Sequence, residues 1–339
     1  MKKLTLSIVA VVFLMGGVVL SQEVTKVGTT AAGFLNIDVG ARAIGMGGAY
    51  VAVADDITSM YWNPAGIARL RGAEAQFSHT RWIADVSFNY AAFALPLGNV
   101  GTVGVNATFL SMDEMERTTV FEPDGTGETF SAGSYAFGLA YGRDLTDRFS
   151  IGFNFKYIHE QIYHSTATGA AFDIGTLFDT QYNGLKIGMS ISNYGTKMQM
   201  GGRDMLIQTD IDPLISGNNQ NINADLKTDR FDLPLMFRVG ISMDVLKGMG
   251  NSNLILSIDA LHPNDDVESV NVGGEYWFNG MFALRGGYKS MFARDSEEGL
   301  CLGAGIHYTV VGSTIAIEYA YQDFGVLNEV QMFTIGLGF

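Results

Sequence analysis

The stretch Leu235-Met236-Phe237-Arg238-Val239-Gly240-Ile241-Ser242-Met243-Asp244-Val245 decides the fold class. Successive side chains of an extended chain point to opposite faces. Leu235, Phe237, Val239, Ile241, Met243 and Val245 therefore share one face, and Arg238, Gly240, Ser242 and Asp244 share the other. The same alternation recurs. Ile151, Phe153, Phe155 and Tyr157 oppose Ser150, Gly152, Asn154 and Lys156; Leu185, Ile187, Met189 and Ile191 oppose Lys186, Gly188, Ser190 and Ser192. Phe282, Leu284 and Tyr288 oppose Arg285, Gly287 and Lys289, and Ile315, Ile317, Tyr319 and Tyr321 oppose Glu318 and Gln322.

A soluble sandwich alternates too. Three features favour a membrane barrel instead. The segments are long, about 10 to 14 residues, enough for a tilted strand to cross a bilayer. Aromatic residues gather near segment ends (Tyr157, Tyr276, Trp277, Tyr288, Tyr308, Tyr319, Tyr321), as at membrane interfaces. The chain stops on Phe333-Thr334-Ile335-Gly336-Leu337-Gly338-Phe339, an alternating strand with a terminal Phe, the form of an assembly signal. About fourteen segments can be counted between 73 and 339, an even number as bacterial barrels require. They include 84–95, 168–180 and 231–245. Short connections (96–99, 145–147, 181–183, 246–251, 279–280, 311–312) alternate with a set holding the two longest, 113–129 and 194–230. Short periplasmic turns and long outer loops alternate in this way. The expected fold is all-β, a transmembrane antiparallel barrel of about fourteen strands over 73–339, in the cell outer membrane and in contact with its lipid. Leu235, Phe237, Val239 and Ile241 are expected to face lipid, with Arg238 and Asp244 in the lumen. Lys156, Lys186, Arg238 and Arg285 share the lumen face with Asp173, Asp244, Asp259, Glu275 and Glu318, and such mixed signs predict ion pairs across a filled interior.

Residues 1–21 read as a signal peptide. Met1-Lys2-Lys3 is cationic, the run to Leu20 is apolar, and Val19-Leu20-Ser21 suits cleavage before Gln22. Beyond it no apolar run is long enough for a spanning helix. Cleavage moves the formal net charge from −14 to −16. So acidic a chain is a poor partner for nucleic acid, whose phosphates need a basic face. The lone Cys301 excludes an intramolecular disulfide.

Residues 22–72 lack strand alternation. They contain Gly40-Ala41-Arg42-Ala43-Ile44-Gly45-Met46-Gly47-Gly48-Ala49-Tyr50-Val51-Ala52-Val53-Ala54-Asp55-Asp56, then Met60-Tyr61-Trp62-Asn63-Pro64-Ala65-Gly66-Ile67-Ala68. Small residues allow close backbone packing and Asn-Pro-Ala-Gly marks a turn, so the segment is expected to be a plug inside the barrel. Gly45, Gly47, Gly48, Asn63, Pro64 and Gly66 form its motif. These residues resemble the PorV/PorQ family, within the wider group of FadL-like outer-membrane proteins. The resemblance implies one of two functions: handling cargo proteins in type IX secretion, by binding and shuttling without catalysis, or, as the alternative, transport of long-chain fatty acids and other hydrophobic small molecules. The Asp55-Asp56 and Tyr61-Trp62-Asn63-Pro64 wording is similar to the secretion branch.

No other constellation competes. Gly45-Met46-Gly47-Gly48 fails as a phosphate loop, since Tyr50 stands at the sixth position of the pattern. His159 and His164 are too far apart by one residue for a zinc-protease motif and fall on opposite strand faces. No nucleophile motif is present. An enzyme is therefore not expected, nor a cofactor, nor a metal ion. The long loops hold the candidate partner-binding residues: Met112, Met115, Phe121, Met198, Met200, Met205, Leu206 and Ile207. Apolar loop residues of this kind mark contact surfaces, and Met adapts to varied partners. Their other reading is that the two loops pack together and cap the barrel.

Overall fold

A computed structural model describes residues 27–339 apart from 183, 213, 215–220, 248–251 and 294–295. The signal-peptide segment lies outside the described residues. Fourteen long strands follow one another: β1 Glu74–Arg81, β2 Ser87–Pro96, β3 Thr102–Ser111, β4 Ala132–Thr146, β5 Phe149–Ile162, β6 Ser165–Asp179, β7 Leu185–Gly195, β8 Met236–Asp244, β9 Ser252–Pro263, β10 Ser269–Phe278, β11 Phe282–Met291, β12 Leu300–Val310, β13 Ser313–Asp323 and β14 Glu329–Gly338. Each pairs antiparallel with its neighbours in sequence. β1 also pairs with β14, from Glu74↔Gly338 to Arg81↔Gln331, so the sheet closes. Closure leaves no open edge, the condition for a sheet in lipid.

The alternation decides the faces. On β8 Phe237 and Ile241 are exposed on the outside while Arg238, Gly240 and Ser242 are buried. Asp244 at the strand's end is half-buried. Several boundaries differ from the expectation; the strands predicted over 84–95 and 168–180 run Ser87–Pro96 and Ser165–Asp179. The strand predicted over 231–245 starts at Met236, so Leu235 precedes it and is half-buried. Pro234 has no N–H for a ladder, and the Leu235 amide turns back to the Leu233 carbonyl at 2.8 Å. Among the described residues no helix is long and apolar enough to cross a membrane.

The two ends differ. One carries the tight turns at 147–148, 279–281 and 311–312. The other carries residues 112–131, which form a small hairpin (Met115–Glu116 with Thr129–Phe130), and residues 196–235, which form a second (Leu206–Thr209 with Ile222–Asp225). Gly201–Gly202 continues the sheet along the upper edge of β6.

Candidate functional site

Residues 32–70 are almost entirely buried and lie against inward-facing strand residues. Two short helices occur there, α1 Ala41–Gly45 and α2 Ser59–Trp62. α1 packs on β12 and β13, while the turn Pro64–Arg69 packs on β4, β5 and β6. The segment therefore meets two opposite walls, by different chemistry.

On the β10–β13 side the contact is ionic. Arg42 donates from Nε and Nη2 to the Glu275 carboxylate, at 2.8 and 2.7 Å. Its Nη1 reaches Asp55 at 2.7 Å and Asp56 at 3.2 Å. Glu275 also accepts from Arg285 Nε at 2.7 Å; Arg285 Nη2 continues to Glu318 at 2.9 Å, and His307 Nε2 meets the same Glu318 oxygen at 3.1 Å. Bidentate guanidinium–carboxylate pairs of this kind fix orientation as well as energy. Burial alone would lower the Arg42 guanidinium, but Glu275, Tyr50 and Asp55 outweigh it and raise it. Burial pushes the Tyr50 hydroxyl upward, so it donates as a neutral phenol to Asp56 at 2.6 Å. Nearer the long-loop end Lys289 joins Asp38 at 2.7 Å and Glu298 at 2.6 Å.

On the β4–β7 side the contact is steric. Gly142, Gly152 and Gly175 stand in one row across three strands. A Cβ on Gly152 would overlap the Pro64 carbonyl, and one on Gly175 would overlap Asn63 Oδ1. Asn63 is fully buried; its amide donates to the Val51 carbonyl at 2.8 Å and the Thr176 carbonyl at 3.0 Å, and its Oδ1 accepts from Ala65 N at 3.2 Å. Pro64 then supplies a fixed φ at the first position of the turn. Close glycine packing is not confined to this side: Gly45 and Gly47 meet the β11–β12 side in the same way. A Cβ on Gly45 would sit 2.9 Å from the Gly303 Cα, Gly47 has φ +65° and lies against Tyr288 N, Gly48 has φ +69°, and Gly66 presses on the Ala54 carbonyl.

At the long-loop end the candidate residues separate into two groups. Met198 is 1% exposed, exchanges backbone hydrogen bonds with Phe231 at 2.9 and 3.0 Å, and packs with Phe34, Leu35 and Ile158. It belongs to the interior, with Met200 half-buried against the same cluster. Met112 and Met205 are half-buried. Met115, Phe121, Leu206 and Ile207 are exposed, Phe121 at 94%. Val120, Ile211 and Leu214 join them. Val120 and Phe121 occupy the tip of a turn whose Thr119 and Glu122 backbones bond each other both ways at 3.2 Å. A pair of apolar residues bracketed by turn partners among acids was the available signal. His159 lies on the outer face, stacked on Tyr135 at 4.7 Å, while His164 in the following turn bonds Asp204.

A closed fourteen-stranded wall, apolar outside and charged inside, defines a transmembrane β-barrel of the outer-membrane type. The family model described as type IX secretion system protein PorV matches residues 20–213, more than half of the chain, and the chain belongs to that family. No curated protein matches it. Among solved structures, a FadL homologue of Pseudomonas aeruginosa is 12% identical, covers 88% of this chain and 97% of its own, and superposes with a TM-score of 0.53. The Ralstonia pickettii toluene transporter TbuX is 10% identical with the same coverages and a TM-score of 0.53. The CymD monoaromatic hydrocarbon channel is 10% identical, covers 88% of this chain and 96% of its own, and reaches 0.54. At these identities the likeness concerns the fold.

Proposed function

We propose that this outer-membrane barrel handles secreted proteins in type IX secretion, receiving cargo or a translocon component on its long-loop end and catalysing nothing. Residues 22–72 act as a stationary plug. The observation that carries the reading is the set of apolar loop tips standing in water at the long-loop end. Phe121 and Leu214, at 94% and 95% exposed, gain nothing there from the fold of this chain. Short turns mark the periplasmic end of such barrels, so these tips stand at the cell surface. Apolar anchors of this kind dominate protein contacts.

The alternative is a FadL-type transporter of hydrophobic molecules, which the toluene transporter and the monoaromatic hydrocarbon channel among its structural neighbours favour. Against it, beneath the long loops the space bordered by Phe34, Leu35, Tyr61 and Tyr90 amounts to only about 10 Å³. That is room for about one water molecule and not for a fatty acid to pass there.

Replacing Phe121, Leu206 and Ile207 together with Ser separates the two. The expected outcome is a surface proteome depleted of secreted proteins, with the barrel still folded and labelled fatty-acid uptake unchanged. Normal surface display with lost uptake sinks the reading and promotes the transporter. No change in either leaves the loops as structural caps.

A further inference from the structure

A cavity of about 290 Å³ opens at the short-turn end, between the N-terminal segment and the β12–β13–β14–β1 wall. It lies at the lower bound of ligand pockets, about 300 Å³, so it suits one extended side chain or a short linear molecule. Its lining mixes apolar and charged groups, and its charge is unbalanced. The connected network sets two guanidinium groups, Arg42 and Arg285, against four carboxylates, Asp55, Asp56, Glu275 and Glu318. Glu74 on β1 adds a fifth carboxylate that lines the cavity and has no ion-pair partner among the described residues. Both side-chain partners of Glu318, Arg285 and His307, contact Oε1, which leaves Oε2. Gln76 uses its amide nitrogen on Ser78, which leaves its oxygen. Arg71 at the rim is exposed, where water and salt screen it. The open sites in the cavity are therefore acceptors, in surroundings where surplus negative charge is costly to leave uncompensated.

We propose that this cavity binds an alkylammonium or guanidinium group entering from the short-turn end, held between Glu74, Glu318 and the Gln76 carbonyl. A basic side chain of a polypeptide and a free diamine carry the same chemistry. The site is independent of the loop surface at the opposite end, so the two readings stand or fall separately.

The test uses the full barrel folded in detergent, titrated calorimetrically at low salt with cadaverine, with a capped Gly-Lys-Gly peptide, and with glutarate as the anion of matching length. Binding of cadaverine or the peptide without glutarate is expected, and which of the two binds tells a free amine from a polypeptide source. Glu74→Gln should weaken binding at least about tenfold, the worth of one charge-assisted contact. Ala316→Lys, which tethers an ammonium inside the cavity, should abolish binding in a barrel that still shows its heat-modifiable shift. The proposal is overturned if neither cation binds, if glutarate binds in their place, or if both folded variants bind cadaverine as the parent does.

Discussion

The two walls that hold the N-terminal segment use opposite means. Against β10–β13 a buried cation, Arg42, is shared among three carboxylates. Against β4–β7 a row of glycines receives Asn63 and Pro64 by shape. That second side also carries ion pairs: Lys156 with Asp173 at 2.9 Å, buried between β5 and β6, and Arg69 with Asp179 at the short-turn rim, with Asp179 34% exposed. The ionic wall is costly to break because each charge depends on the others. The glycine seat for Asn63 and Pro64 is costly to fill and itself holds no charge to expose. The ionic contact is therefore sensitive to solution conditions, and the glycine seat is not.

The sharpest test of the ionic wall is Arg42→Met. It leaves Glu275 with Arg285 alone, and Asp55 and Asp56 with no cation among those described. Removing one partner from a buried network costs about 3–5 kcal/mol. Guanidinium unfolding of the detergent-folded barrel should show that loss, and a change near zero would mean that the network does not hold the segment.

A smaller loss is expected on the glycine wall. Gly175→Ala forces a Cβ into Asn63 and to 2.8 Å from Pro64 Cδ, an overpacking of about 1–3 kcal/mol. Gly286→Ala, whose Cβ meets nothing within 4 Å, is the control and should leave stability near the parent's. Equal effects from the two would show that the glycine row is not a seat. The Gly175 loss should also be the same at low and high salt, unlike that of Arg42→Met.

Much of the barrel was legible because lipid imposes a strict rule. Every second residue of a spanning strand must be apolar, so Phe237 and Ile241 announced one face while Arg238, Glu275 and Arg285 announced the other. The mixed charges on that inner face foretold ion pairs. Their central partner did not come from a strand, and strand periodicity carries no information about Arg42. The glycines of the inner face, Gly152 and Gly188 among them, were visible at the right period. What fills the space above each one depends on contacts distant in sequence, and only the fold supplies it. Loop residues were the least legible. Met198 and Phe121 looked alike as apolar loop residues, yet one is bridged to Phe231 and buried while the other tips a turn in water. Composition does not separate them; the position of Val120-Phe121 within a bonded turn does.

The smallest expected effect lies at the outer margin of the ionic wall. Glu298 sits in the loop between β11 and β12, paired with Lys289 at 2.6 Å, and accepts from Ser290 Oγ at 2.6 Å. Lys289 in turn holds Asp38 of the N-terminal segment. Burial alone would raise the Glu298 carboxyl, but Lys289 and the hydrogen bonds outweigh it and set it below the usual carboxylate range. A depressed folded value stabilises the folded state above the unfolded value, about 4.3 for Glu. That contribution is lost as pH falls through the lower folded value. The difference in unfolding midpoint between the parent and Glu298→Gln should therefore be present at neutral pH and shrink below about pH 4, as the parent's own carboxyl takes up its proton. Other carboxylates titrate in the same window, which is why the difference between the two proteins is measured and not the parent alone. Gly175→Ala supplies the contrast, since its deficit should stay constant across that range. A Glu298→Gln difference that is absent at neutral pH, or that persists unchanged in acid, would mean that Lys289 holds Asp38 without help and that the outer margin of this wall is not pH-sensitive at Glu298.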